Sequence, residues 1–244
     1  MQIITIAAIK GGTGKTTTAA ALAQAAAQDN KKVLAIDLDP QCNLSFILGG
    51  NLQQTGSYDL LHGASPQSVI QSCNPGIDLI AGKADLSLEQ SRNASANRLK
   101  DAIEPIRKKY DFIFIDTPPT IGELTYNALN ASTGLLIPLE ADINSIQGLY
   151  FITDIAEQIK KNNTGLKIKG TILTRYDNRA NINKYFKQSL EDIGQQIKAP
   201  FLMAIRPGVA LREAQAKRVS LYEYAPNSKP AQDYKELYNR IKRK

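Results

Sequence analysis

The sequence predicts an α/β fold, one domain over residues 1–244 with a mostly parallel, twisted sheet and helices on both faces. Three observations carry this expectation. Short β-branched apolar runs alternate with helix-forming stretches along the chain. The first run ends in a glycine cluster that opens directly into an alanine-rich stretch. No linker, internal repeat or low-complexity tract divides the chain. At about 100–200 residues per domain, 244 residues admit one large domain or two small ones. With 43% hydrophobic and 22% charged residues, the composition excludes wholesale disorder and a fibrous repeat. No apolar run approaches the roughly 18 residues that cross a bilayer, and Met1-Gln2-Ile3-Ile4 lacks the basic flank of a secretory signal. A cytoplasmic protein is expected.

Residues 2–9 form an apolar, β-branched run that fits a buried strand covered on both faces. Residues 16–28 are dominated by alanine, a strong helix former, and residues 31–37 read as a second buried strand, completing a βαβ unit. Residues 43–72, rich in Gly, Gln and Ser, are the least periodic stretch and read as a surface excursion with short helices. Further strands are expected at 77–81, 112–116, 134–139, 168–174 and 200–205, with helices at 95–108, 122–130, 145–161, 182–194 and 229–243. In the last of these, Tyr234, Leu237, Tyr238 and Ile241 recur at helical spacing and predict a terminal helix packed on the sheet, rather than an exposed partner-binding stripe. Cys42 and Cys73 lack C-x-x-C spacing, and His62 cannot complete a zinc set with them, so both thiols are expected to be reduced and structural.

The sharpest signal is Lys10-Gly11-Gly12-Thr13-Gly14-Lys15-Thr16-Thr17, between a buried strand and an alanine-rich helix. Gly14-Lys15-Thr16 closes a P-loop in the structural context that motif requires. Glycines let the backbone turn its N–H groups toward a phosphate, and the following helix N-terminus adds its positive dipole end. Lys15 supplies a full charge to the β- and γ-phosphates, and Thr16 carries a hydroxyl where P-loop enzymes ligate Mg²⁺. Asp37 and Asp39, at the C-terminal end of a strand beside this loop, are placed to orient a water and hold the metal's hydration shell.

Lys10 adds a second lysine at the start of the loop, and with it the segment resembles the deviant Walker A box of the ParA/MinD ATPases. In that family the first lysine crosses a dimer interface to the partner's nucleotide. The resemblance extends over nearly the whole chain. Asp37-Leu38-Asp39-Pro40-Gln41 is similar to the element that marks ParA proteins, which makes Asp39 the hydrolytic carboxylate. Residues 112–119 resemble a Walker B strand with its switch segment, and Asp116 is expected to touch Mg²⁺ through water. Residues 173–179 resemble the strand whose end contacts adenine, so Thr174 and Arg175 are candidate base neighbours. Ala204-Ile205-Arg206-Pro207-Gly208-Val209 departs from the family's order at the second base contact.

Residues 160–244 carry 19 Lys+Arg against 7 Asp+Glu, and residues 1–159 carry 11 against 16. Such asymmetry suggests a polyanion partner or a solvated basic face. The resemblance implies a Mg²⁺-dependent ATPase that forms a homodimer on ATP, binds double-stranded DNA nonspecifically and is released when a ParB-type or adaptor protein with a basic tail stimulates hydrolysis. Arg179, Arg212, Lys217 and Arg218 are then the candidate DNA contacts, and the protein would be cytoplasmic and nucleoid-associated. No helix-turn-helix segment precedes the first strand, so sequence-specific binding is not expected. Two alternatives remain. A MinD-like membrane-positioning ATPase would need a C-terminal amphipathic anchor, for which Tyr and Leu stand at core spacing instead. A metabolic relative, a reductase or amide synthetase, would need ligand cysteines or lack the Asp39-Pro40-Gln41 pattern.

Overall fold

The computed structural model describes residues 1–73, 76–91 and 95–243. In chain order the elements are β1 (Gln2–Ile6), α1 (Lys15–Gln28), β2 (Val33–Asp37), α2 (Asn43–Ile47), α3 (Ser57–Leu61), α4 (Pro66–Val69), β3 (Ile70–Cys73) and β4 (Ile77–Ile80). Then follow α5 (Arg98–Ile103), β5 (Phe112–Asp116), α6 (Glu123–Ala131), β6 (Gly134–Leu139), α7 (Ile143–Lys160), β7 (Lys167–Leu173), α8 (Asn181–Gln196), β8 (Phe201–Ala204), α9 (Val209–Ala216), α10 (Leu221–Tyr224) and α11 (Lys229–Lys242). They build an eight-stranded sheet in the order β3-β4-β2-β5-β1-β6-β7-β8. All pairings are parallel except β3 with β4.

Strand side chains alternate between two covered faces, as the period of two requires. Ile4, Ile6, Phe112 and Phe114 pack under α1, α2 and α9–α11. On the other face Ile3, Ile113 and Ile115 pack under α3, α5 and α6, while Leu135, Ile137 and Leu139 pack under α7 and α8. Tyr234, Leu237, Tyr238 and Ile241 are all buried, so the helical stripe of α11 faces the core as expected. Each such side chain contributes about 1.5–3 kcal/mol on burial.

The structure corrects two expectations and adds one helix. The stretch read as helix over 95–108 is helical only at Arg98–Ile103, followed by a 3₁₀ turn at Arg107–Lys109, because Pro105 lacks the N–H that would continue the ladder. The excursion at 43–72 holds three short helices and also ends in β3, an antiparallel edge strand too polar to stand out. Residues 209–216 form α9 after the turn at Gly208.

In a parallel sheet every helix runs back from the strands' C-terminal edge to their N-terminal edge. The C-terminal edge therefore collects the loops after β1, β2, β5, β6, β7 and β8, which include the glycine loop and the strand-end carboxylates.

Candidate active site

The loop between β1 and α1 turns on Gly12 and Gly14, whose φ angles of +81° and +88° lie in the left-handed region where a Cβ would be strained. Gly14 offers no side-chain cap to α1, so the amides of the first turn remain unsatisfied at the point where the dipole is positive. Lys15 is buried, and its Nζ donates to the Lys10 carbonyl at 3.2 Å. Burial lowers the pKa of this ammonium against the opposing pull of Asp116 and Asp39. A buried cation, free helix amides and glycine backbone converge here, which is an anion cradle.

Two strand ends supply the carboxylates. Asp37 and Asp116 are register partners on β2 and β5. Asp37 is fully committed: Oδ1 accepts from the Asp39 amide at 3.1 Å, and Oδ2 accepts from the Ser45 amide at 2.9 Å and hydroxyl at 2.7 Å. Burial nevertheless pushes its pKa up to about 6. Asp37 was expected among the metal-holding groups; the structure makes it the anchor of α2, with both oxygens occupied. Asp116 contrasts with it. Both of its oxygens are buried and lack a hydrogen-bond partner. Burial first, and Asp37 second, push its pKa well above the carboxylate range, while Thr16 and Lys15 oppose the shift. An orphaned buried carboxylate beside a threonine hydroxyl and a phosphate cradle fits a hydrated Mg²⁺. Among the described residues no three His, Cys, Asp or Glu converge to ligate an ion directly, so the protein's share of such a site is small and phosphate and water must supply the rest. Asp39 sits just past β2, buried, with Oδ1 accepting from the Gln41 amide at 2.9 Å.

Lys10 does not point into its own cradle. Its ammonium forms an ion pair with Asp142, the N-cap of α7, which also accepts from the Asn144 amide at 2.7 Å. The hydrogen bond to Asp142 raises the Lys10 pKa, and the same bond lowers that of Asp142.

The residues proposed for the base separate. Thr174 is buried, and its hydroxyl donates to the Thr13 carbonyl at 2.9 Å and the Leu139 carbonyl at 3.1 Å. It therefore supports the phosphate loop from beneath. Arg175 is exposed and pairs with Glu140 at 2.7 Å. Beside it a cleft of about 510 Å³ opens at the ends of β7 and β8, lined by Tyr176, Asn178, Arg179, Arg206, Pro207 and Lys229 among others. Arg206 on its wall is held by Asp233 at 2.7 Å.

The four candidate DNA cations are not equivalent. Arg179 is paired with Asp177 at 2.7 Å, an interaction that pulls the aspartate down to about 2. Arg218 donates to the carbonyls of Phe46 and Gly50 at 3.0 and 3.1 Å and lies over the Phe46 ring, so it ties α2 to the α9–α10 turn. Lys217 lies over Tyr224 at 4.7 Å, and Arg212 is exposed on α9.

Sequence reasoning missed Asp142 and Ser45. The first had a local signal, an Asp ahead of a helix in N-cap position. The second had none, because its role depends on α2 folding back over the end of β2. It also missed Arg98, whose guanidinium joins Glu89 and, at 2.5 Å, Glu123 at the start of α6, fixing the helix that follows the Asp116 segment.

Residues 1–168 match the family model described as an AAA domain (AAA_31). The chain is 34% identical over 212 residues to the chromosome partitioning protein ParA of Caulobacter vibrioides, covering 82% of this chain and 77% of that one. It is 32% identical to the sporulation initiation inhibitor protein Soj of Bacillus subtilis, covering 98% of each. Among solved structures it is similar to apo McdA of Cyanothece, with a TM-score of 0.85, 27% identity and coverage of 97% and 98%. A variant of that McdA is known in complex with ATP. Cobyrinic acid a,c-diamide synthase of Mycobacterium smegmatis, with a TM-score of 0.83, 26% identity and coverage of 98% and 93%, is known with ADP and magnesium.

Proposed function

Since this chain belongs to the AAA-domain family in its ParA/Soj branch, we propose that it is a Mg²⁺-dependent partitioning or positioning ATPase. It dimerises on ATP, binds DNA without sequence preference and is released when a partner with a basic tail stimulates hydrolysis. The observation that carries this reading is the pair of lysines around one glycine loop, Lys15 turned into the cradle and Lys10 turned out of it.

Lys15 and the first amides of α1 hold the β- and γ-phosphates, and Thr16 with Asp116 holds the hydrated ion. Mg²⁺, when bound, neutralises charge on the phosphate oxygens. Asp39 orients the attacking water beside the loop. Lys10 leaves Asp142 and reaches the nucleotide of the facing subunit, so each site is completed in trans. The base occupies the cleft beyond Arg175, and Thr174 keeps the loop in shape beneath the phosphates. The apolar face of α11 is buried, which favours this reading over a membrane-positioning cycle, and no described helix is long and apolar enough to cross a membrane.

Three variants test the proposal. Lys15→Ala should lose nucleotide binding; Lys10→Ala should retain monomeric binding and lose both the ATP-dependent dimer and hydrolysis. Asp39→Ala should bind ATP and dimerise while turnover falls about 10²-fold or more. Light scattering with ATP and with ADP, beside phosphate release, reads all three. A Lys10→Ala protein that still dimerises and hydrolyses ATP would exclude the in-trans role.

A further inference from the structure

α9 is lightly embedded in the fold. Of its eight residues only Ala214 is buried, and Leu211 packs against the same core cluster while partly exposed. Beneath the helix lies a cavity of about 10 Å³, lined by Thr17, Ala20, Ile47, Leu211, Gln215 and Val219 among others, so α9 is not packed down fully onto α1 and α2.

With so little apolar burial, a few polar contacts set where α9 sits. Past its C-terminal end Arg218 donates to the carbonyls of Phe46 and Gly50, and Lys217 lies over the Tyr224 ring, whose hydroxyl donates to Glu213 at 3.2 Å. From its last turn Gln215 Nε2 donates to the Thr17 hydroxyl oxygen at 3.1 Å. These contacts differ in what they end on. Phe46 belongs to α2, which Ser45 anchors to Asp37. Thr17 belongs to the phosphate loop's own helix: it is the third residue of α1, directly after Lys15 and Thr16, in the turn whose amides have no side-chain cap.

A phosphate drawn onto that turn fixes its amides, and with them the hydroxyl that Gln215 holds. Of the contacts that seat α9, the one to Thr17 therefore ends on a turn whose order depends on a ligand. The start of α9 adjoins the nucleotide site as well. Its N-cap, Gly208, directly follows Arg206 and Pro207, which line the cleft beyond Arg175. Arg212 stands one turn before Gln215 and Lys217 just past the helix end, both exposed.

We propose that Gln215 is the positioning residue that makes α9, and with it Arg212 and Lys217, follow the occupancy of the phosphate loop. The link rests on the proposed nucleotide-dependent DNA binding for the identity of the polyanion that these cations meet. A helix held at Thr17 by a filled loop presents its cations already ordered, so less conformational freedom is lost when a duplex docks on it. Reciprocity then requires DNA to tighten nucleotide binding by the same factor. The dimer sets two such helices on one duplex, and the link prepares each of them within its own subunit.

Hydrogen exchange on the full chain reads this link without DNA and without the ATP dimer. On saturation with Mg²⁺ and ADP, the amides of residues 211–217 should gain about 3- to 10-fold in protection, the effect of one hydrogen bond. Gln215→Met keeps the length of the side chain and removes its donor, so it should abolish that gain. Gln215→Glu can accept from the Thr17 hydroxyl instead and should restore it. A bond that only supports the fold would lower protection equally with and without nucleotide; a gain that persists in Gln215→Met overturns the proposal. Duplex binding with ATP across a salt series is the second readout. Gln215→Met should weaken it about 3- to 10-fold at an unchanged slope of log affinity against log salt, because no cation is removed, while light scattering still shows the ATP-dependent dimer. Unchanged duplex affinity in Gln215→Met overturns the extension to Arg212 and Lys217. An unsubstituted protein that holds no duplex in any nucleotide state overturns the DNA-binding reading, and hydrogen exchange then decides the link to α9 by itself.

Discussion

Thr174 offers a sharp discrimination between two roles. Its hydroxyl is shared between the Thr13 and Leu139 carbonyls, and the Leu139 carbonyl also accepts the Thr174 amide at 2.8 Å. Thr174→Val keeps the branched shape and the methyl that lies where a Cβ on Gly14 would come within 3.3 Å, so packing under the loop is preserved. Leu139 retains a donor; the Thr13 carbonyl loses this one. The structural loss is thus one buried hydrogen bond, about 1–2 kcal/mol. If it falls on the phosphate-binding conformation of the loop, affinity drops roughly 5- to 30-fold. Competition of ATP, GTP and inorganic triphosphate against a fluorescent nucleotide gives the readout. A loop support weakens all three by the same factor, and Thr174→Ser restores them. A base contact weakens ATP alone. An unchanged triphosphate affinity in Thr174→Val would refute the placement of this residue beneath the phosphates.

Other substitutions probe neighbouring contacts. Ser45→Ala removes the hydroxyl that donates to Asp37 at 2.7 Å and accepts from the Gly82 amide at 2.7 Å; urea unfolding should show a loss of about 2–4 kcal/mol, and a loss under about 0.5 would exclude the anchoring role. Asp142→Asn keeps a helix N-cap for Asn144 but removes the charge facing Lys10, so the ATP-dependent dimer should form at lower ATP concentration; an unchanged titration would show that the pair restrains nothing. The pH dependence of stability follows from Asp37. Its folded-state pKa is raised to about 6 from an ordinary 3.8, so between these values the folded protein binds more protons than the unfolded chain. Stability should therefore fall as pH rises from about 4 to 6, with Asp116 acting in the same direction, whereas the lowered carboxylates Asp29, Asp142 and Asp177 act mainly below about pH 4. A melting temperature that climbs steadily across this window contradicts the assignment.

The sequence by itself determined the strands at 112–116 and 134–139, placed β1 and β2 within the runs read at 2–9 and 31–37, and marked the phosphate loop and the carboxylates at the strand ends. These are local features: a buried parallel strand needs an unbroken apolar run, a phosphate cradle needs glycines followed by a helix, and both are written in consecutive residues. Only the tertiary structure decided what each polar side chain is used for. Asp37 and Asp116 are equivalent strand-end aspartates in sequence, yet Ser45 occupies one while the other stands beside Thr16 and Lys15 of the phosphate loop, because α2 folds over β2 and not over β5. Thr174 reads as a neighbour of the base until Thr13, 161 positions away, is brought within hydrogen-bond reach. The contact between Gln215 and Thr17 shows the same limit at larger scale. The two stand 198 positions apart, and they meet because the C-terminal helices pack back over α1. That convergence is a property of the topology, and no window of sequence contains it.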